Sequence, residues 1–274
     1  MKELVSWQPK RAVADALGAL GLIRPAFRLY ESTLALEWPP WRRHEEAPAP
    51  DGLPVPPARL RVRVGPKAAG RQAFLEGGAE HARLIADVLE EAGGDIRRLP
   101  SLLDFGCGCG RIMRHWHDLE GTSLHGTDLD PKLVAWCRRE LGFADFAVNE
   151  LTPPSRYGDE QFALVYAFSV FTHMPEALQL GWIDELRRVV SPGGHLLITT
   201  HGSAFLDRLA PAERDAFGAG RLVVLWPEGA GTGLCSAYHP EGYVRETLGR
   251  GLERVGFREG AVNGHDVHLF RKAR

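Results

Sequence analysis

The chain has 274 residues, 44% hydrophobic and 25% charged, the balance of a folded protein with a sizeable core and not of a disordered one. A formal net charge of -2 gives no clustered basic face for nucleic acid, so a small or neutral partner fits better. Cys107, Cys109, Cys137 and Cys235 do not form the framework of a secreted disulfide scaffold, and a reducing cytoplasm is the expected compartment.

The segment up to Tyr30 is interrupted by Lys10, Arg11, Asp15, Arg24 and Arg28, so neither an export signal nor a membrane span is expected there. From Pro9 to Leu36 the residues Val13, Leu17, Leu20, Ile23 and Phe27 recur at helical intervals. They predict one or two amphipathic helices, broken near Gly18, Gly21 and Pro25, that pack on the core or on another subunit of a homodimer. Between Trp38 and Pro66 prolines are dense (Pro39, Pro40, Pro48, Pro50, Pro54, Pro56, Pro57), which predicts an extended connecting arm. Residues 1–66 are therefore read as an N-terminal helical and proline-rich extension, and 67–274 as the main domain.

A helix is expected from Gln72 to Glu91, ended by Gly93 and Gly94. Apolar strands then alternate with amphipathic helices, the sign of a doubly wound α/β domain with a mostly parallel sheet covered on both faces. The strands are Ser101–Phe105, Ser123–Asp128, Phe143–Val148, Phe162–Ala167 and His195–Thr200. The helices are Arg111–Leu119, Pro131–Leu141 and Pro175–Val190, with Ser191-Pro192-Gly193-Gly194 as a tight turn. Residues 221–238 read as an inserted β-hairpin, followed by a helix over Pro240–Val255 and strands over Phe257–Val262 and Val267–Arg271.

The chemistry concentrates in Leu102-Leu103-Asp104-Phe105-Gly106-Cys107-Gly108-Cys109-Gly110-Arg111, a buried strand running into a glycine-rich turn. Glycines at alternate positions admit positive φ angles and let a ligand approach the main chain. Their spacing is more compact than the dinucleotide fingerprint, which favours a nucleoside without phosphate and leaves an NAD-dependent oxidoreductase as a weaker alternative. Asp128, ending the next strand, is the expected acceptor for both ribose hydroxyls. Leu129 is placed to pack on an adenine face, and Asn149 or Glu150 to meet its edge. Cys107 and Cys109 lack the pairing of a structural zinc site, so no metal is expected. His201 ends the fifth strand at the sheet edge where ligands bind. With a pKa near 6.5 it could act as a base near neutrality, with Tyr238 or His239 closing the site from the hairpin.

Leu103 to Arg111, Gly126-Thr127-Asp128, Asn149 to Pro154 and Glu185 to Gly194 resemble, in order and spacing, the motifs of class I S-adenosylmethionine-dependent methyltransferases. Phe168 to Met174 and Thr199 to Gly202 look like a bacterial branch of that family found near sugar, glycan or secondary-metabolite genes. The resemblance implies a Rossmann-like sheet of seven strands with the last one antiparallel, and S-adenosyl-L-methionine as cofactor. It implies that Asp104, Gly106, Cys107, Gly108, Gly110 and Arg111 surround the methionine part, that Ala167, Phe168 and Ser169 contact its amino acid end, and that Leu151 joins Asn149 and Glu150 near the adenine. Asn149 and Glu150 stand where the family usually has an Asp, which leaves the adenine N6 contact open. The implied activity is methyl transfer to an oxygen or nitrogen of a small-molecule acceptor. A non-catalytic S-adenosylmethionine-binding module is the alternative.

Overall fold

A computed structural model describes residues 4–36 and 49–274; residues 1–3 and 37–48, which include the first part of the proline arm, lie outside the described residues. Two helices, α1 (Leu4–Ala19) and α2 (Ile23–Leu36), meet near Gly21, where the break was expected. The rest of the arm is not extended throughout: Ala58–Arg61 forms a short helix α3, and 3-10 turns cover Val62–Val64 and Pro66–Ala69. Burial explains the coiling, because Arg61 is 1% exposed and donates to the carbonyls of Pro56 and Ala69. Helix α4 spans Arg71–Glu91.

Strands β1 (Ser101–Phe105), β2 (Ser123–Asp128), β3 (Asp145–Val148), β4 (Phe162–Ala167) and β5 (Val190–His201) pair in parallel in the order β3-β2-β1-β4-β5. Helices α5 (Pro131–Glu140) and α6 (Glu176–Val189) connect them. Asp130 caps α5 by accepting the Lys132 N–H, with Pro131 in its first turn, where a missing N–H costs nothing. The chain then forms α7 (Pro211–Gly218), β6 (Val223–Leu225), β7 (Ser236–Tyr238), a short helix α8 (Glu241–Tyr243), β8 (Glu253–Val262) and β9 (His265–Arg271). Antiparallel β9 lies between β5 and β8, so the main sheet runs β3-β2-β1-β4-β5-β9-β8. Seven strands with the last antiparallel is the expected order.

Successive strand residues point to opposite faces, and the two apolar layers follow that alternation. Leu102, Leu164, Leu197 and Leu269 pack with α4 and α5 on one face, and Leu103, Val165, Ile198 and Phe270 pack with Trp182 and Ile183 of α6 on the other.

Three expectations fail locally. Arg111–Leu119 forms only a 3-10 turn at Met113–Trp116, because Ile112, Met113 and Arg114 are all buried in succession and no solvent face is left for a longer helix. The Ser191 to Gly194 turn is absorbed as a bulge in β5, where pairing with β4 jumps from Phe162↔Val190 to Leu164↔His195. The helix expected to Val255 ends in a π-helical turn at Val244–Leu248, and β8 already begins at Glu253. The expected hairpin forms, β6 pairing with β7 antiparallel, and it joins the sheet. Tyr238 pairs with His201 on the β5 edge opposite β9, so β7 and β6 extend the sheet beyond the end of β4.

The remaining arm is fastened to the core by Arg114, 1% exposed, which donates to both oxygens of Asp51 at 2.6 and 2.8 Å and to the carbonyls of Leu53 and Pro54. Burial raises the Asp51 pKa, but the Arg114 bonds outweigh it and hold the carboxyl below its usual range. Asp51→Ala leaves a buried guanidinium short of its counter-ion and should lower stability by about 3 kcal/mol, read as a lower urea midpoint. Because the folded pKa is depressed, this contribution is present at neutral pH and is lost as acid takes the solution through that pKa. An unshifted midpoint in the variant removes the latch.

Candidate functional site

The strand order reverses between β1 and β4, which opens a crevice beyond their carboxyl ends, the position where open α/β sheets hold ligands. The glycine turn leaves β1 at this point. The N–H groups of Gly106 and Cys107 both reach the carbonyl of Thr127 on β2, at 2.7 and 2.9 Å, and Gly106 and Gly108 take φ values of +84° and +56°. A Cβ at Gly106 would stand 2.4 Å from Val170 Cγ2, and one at Gly108 would stand 2.3 Å from Val64 Cγ1. The turn is thus covered by Val170 from the segment after β4 and by Val64 from the arm. Sequence periodicity carried no sign of either residue.

Asp104, the next-to-last residue of β1, is 2% exposed, and one of its carboxylate oxygens has no hydrogen-bond partner. Its other neighbour is the Tyr166 hydroxyl, which accepts from Trp116 Nε1 at 3.2 Å. Burial pushes the Asp104 pKa up to about 8, only partly offset by Tyr166 and Arg111. The Arg111 guanidinium lies close enough to Asp104 for their charges to interact, and burial lowers its own pKa.

Asp128 accepts the Gly108 N–H and the Asp130 N–H at 2.8 Å each, one on each oxygen. Burial raises its pKa to about 6 against those bonds. Each oxygen retains a second lone pair for a ligand. Beside it, half-buried Leu129 and Leu151 lie under Gly231 of the β6–β7 loop, which is fixed by its N–H to the His173 carbonyl. The Asn149 side chain is engaged with Thr127 and the Glu150 carbonyl, and the Glu150 side chain is exposed. On the β4 side Ala167 is fully buried, Phe168 stacks on His81 of α4 at 4.0 Å, and Ser169, at φ +59°, donates its N–H to Thr199 Oγ1.

His201 ends β5 at 5% exposure, with Nδ1 3.2 Å from the Ala237 carbonyl. Burial, then the neighbouring His265, His173, His239 and Arg208, hold its pKa well below 6.5. The near-neutral titration expected from the sequence is therefore displaced to acid by desolvation. Tyr238 is its register partner, with ring centroids 5.4 Å apart. The structure does not bring the His239 ring to this group: it is fully buried and its Nε2 meets Gln179 Oε1 of α6 at 3.0 Å.

Residues 78–258 match the family described as Methyltransferase domain. The chain belongs to this methyltransferase family. It is 34% identical over 118 residues to malonyl-[acyl-carrier protein] O-methyltransferase of Enterobacter lignolyticus, a match covering 43% of this chain and 45% of that protein. The chain thus spans less than half the length of that curated relative. Among solved structures, an S-adenosylmethionine-dependent methyltransferase from Mesorhizobium loti is 19% identical with a TM-score of 0.56, covering 72% of this chain and all of that one. A Burkholderia thailandensis 1,6-didemethyltoxoflavin-N1-methyltransferase is 18% identical with a TM-score of 0.53, covering 78% and 88%. These two likenesses confirm the methyltransferase fold.

In this methyltransferase chain the turn tolerates no side chain at Gly108. Gly108→Ala forces a residue with a Cβ to φ +56° and against Val64, a backbone cost of about 1–2 kcal/mol before any collision. Chemical denaturation should show a lower midpoint, and a variant as stable as the parent would mean that the turn relaxes freely.

Proposed function

We propose that the protein binds S-adenosylmethionine at the Asp104–Arg111 turn and transfers its methyl group to an oxygen or nitrogen of a small-molecule acceptor. One observation carries this reading: a buried carboxylate oxygen of Asp104 without a hydrogen-bond partner, within electrostatic reach of the Arg111 guanidinium. Burying an unpaired polar group is costly, and an α-amino acid end supplies what is missing, an ammonium for Asp104 and a carboxylate for Arg111. With Asp128 and Asp130 also present, three carboxyl groups outnumber the two guanidinium groups of Arg111 and Arg63, which suits a cationic sulfonium nucleoside and opposes a pyrophosphate. Asp128 would accept the ribose hydroxyls, Leu129 and Leu151 would flank the adenine with Asn149 and Glu150 at its edge, and Gly106, Cys107, Gly108 and Gly110 would offer backbone. Ala167, Phe168 and Ser169 would border the methionine end.

When bound, S-adenosylmethionine supplies a methyl group already activated on sulfur. The protein's part is to hold the acceptor in line and exclude water, for which Val64 and Val170 stand over the turn and the β6–β7 loop stands over Leu129 and Leu151. The O-methyltransferase relative supports oxygen as the receiving atom. His201 then takes the hydroxyl proton, with Tyr238 beside it as part of the wall and His239 fixing the end of the hairpin to α6. No described helix is long and apolar enough to cross a membrane, and the four cysteines are free and buried, which supports a cytoplasmic setting.

Calorimetric titration of the full chain should detect S-adenosylmethionine and S-adenosylhomocysteine and no NAD. Arg111→Met should weaken both by roughly 1.5–3 kcal/mol, the scale of a hydrogen bond to a charged group. NAD binding with no response to the sulfur nucleosides sinks the reading.

A base must be unprotonated to act, and the folded pKa of His201 is depressed. Turnover should therefore stay level from pH 8 to about the imidazole reference value of 6.5 and fall only at more acid pH. His201→Asn should lose roughly 10² to 10⁴ in rate with cofactor affinity retained. A variant with the parent's rate and pH profile shows that another group accepts the proton.

A further inference from the structure

Three imidazoles gather at the carboxyl end of β5. His201 lies 6.3 Å from His173 and 4.7 Å from His265, measured between ring centroids. Two of them share a device that the other buried histidines lack. His173 Nδ1 is 2.8 Å from the Cys235 carbonyl, and His201 Nδ1 is 3.2 Å from the Ala237 carbonyl, alternate residues of the same extended stretch. A carbonyl can only accept, so each Nδ1 carries the hydrogen and each Nε2 keeps a bare lone pair.

His239 makes the contrast. Its partner Gln179 commits its amide nitrogen to the carbonyls of Phe171 and Met174, which leaves Oε1 to accept and puts the His239 hydrogen on Nε2. The hairpin therefore selects one tautomer at two histidines and the opposite one is enforced at the third. His173 also belongs to the turn whose Val170 covers Gly106, so it lies three positions along the sequence from the side chain over the glycine turn.

The surroundings define what the two lone pairs would receive. Phe205 lies 4.3 Å from the His201 ring, and Phe168 lies 6.5 Å from His265. Burial holds both His173 and His201 below the ordinary imidazole pKa, so both are neutral acceptors at pH 7. Among the described residues no three His, Cys, Asp or Glu side chains are arranged to hold a metal ion. Arg208 is the cation at this cluster, its guanidinium 4.5 Å over the Phe205 ring and acting on His201 and His265, while the two lone pairs beside aromatic rings match a donor-bearing planar molecule.

We propose that His173 and His201 form a paired acceptor cradle, each locked by a hairpin carbonyl as the Nδ1–H tautomer, that receives a planar hydroxyl compound through two bare Nε2 atoms. The cradle is an acceptor site only within the methyltransferase reading, on which this inference rests. It adds His173 to the substrate contacts and makes the hairpin a positioning element.

Imidazole nitrogen NMR on the full, histidine-labelled chain saturated with S-adenosylhomocysteine tests it, with catechol as probe. Both His173 and His201 should show the neutral Nδ1–H form at pH 7, and catechol should shift both Nε2 resonances. An Nε2–H form at either residue, or a catechol response missing at either, overturns the proposal. His173→Asn keeps a donor for the Cys235 carbonyl but lacks Nε2, so it should weaken catechol about tenfold, the equivalent of one hydrogen bond, and leave S-adenosylhomocysteine affinity unchanged. Equal catechol affinity in that variant makes His173 an anchor only. If the parent protein fails to bind S-adenosylhomocysteine at all, the methyltransferase reading falls; if it binds and the tautomers differ, only the cradle does.

Discussion

The carbonyl of Thr127 accepts the N–H groups of both Gly106 and Cys107, and this shared acceptor joins the exit of the first strand to the end of the second. With the turn pinned there, the Gly108 N–H is aimed at Asp128, so the carboxylate is held from the backbone side while its remaining lone pairs face outward. The same constraint stops β1 at Phe105, so that Asp104 is buried two residues before Gly106. Arg111 follows directly after the last turn glycine and lies close enough to Asp104 for the two charges to interact. Backbone geometry thus arranges the charges, and the side chains need little freedom of their own.

Desolvation governs the electrostatics of this crevice. It raises Asp104 and Asp128 and lowers His81, His201, His239 and His265, so each kind of group is pushed toward its neutral form. A site of this kind binds little by long-range attraction. It rewards a ligand that brings its charge to the one place where a partner is waiting, and otherwise offers hydrogen-bond acceptors and apolar walls.

The strands β1 and β4 were legible because a parallel strand buried on both faces is a mostly apolar run: Ser101–Phe105 and Phe162–Ala167 appear with the bounds that the sequence suggested, as does Ser123–Asp128, which is only partly buried. The glycine turn and Asp128 were legible because their residue types answer to local geometry. What depends on distant packing was not. Arg114 lies in a stretch with helical character, yet its pairing with Asp51 and burial among nonlocal neighbours leave only a 3-10 turn. The roles of Val64, Val170 and Gly231 exist only once the arm, the turn after β4 and the hairpin loop converge. His173 was visible as a residue within a family-like stretch, but its tautomer depends on a carbonyl 62 residues away.

The placement of β9 between β5 and β8 bears on how the fold is assembled. Every ladder contact of β8 is made to β9, and β9 follows every other described strand of this sheet in sequence. Until residues 265–271 are available, β5 presents an open edge from His195 to His201 and β8 has nowhere to dock. Such an edge is a template for mispairing, and closing it requires contacts distant in sequence, which fold slowly. The site end of β5 is therefore among the last parts of the sheet to be sealed. A nascent chain holds its glycine turn and first two strands well before it holds a finished floor for His201.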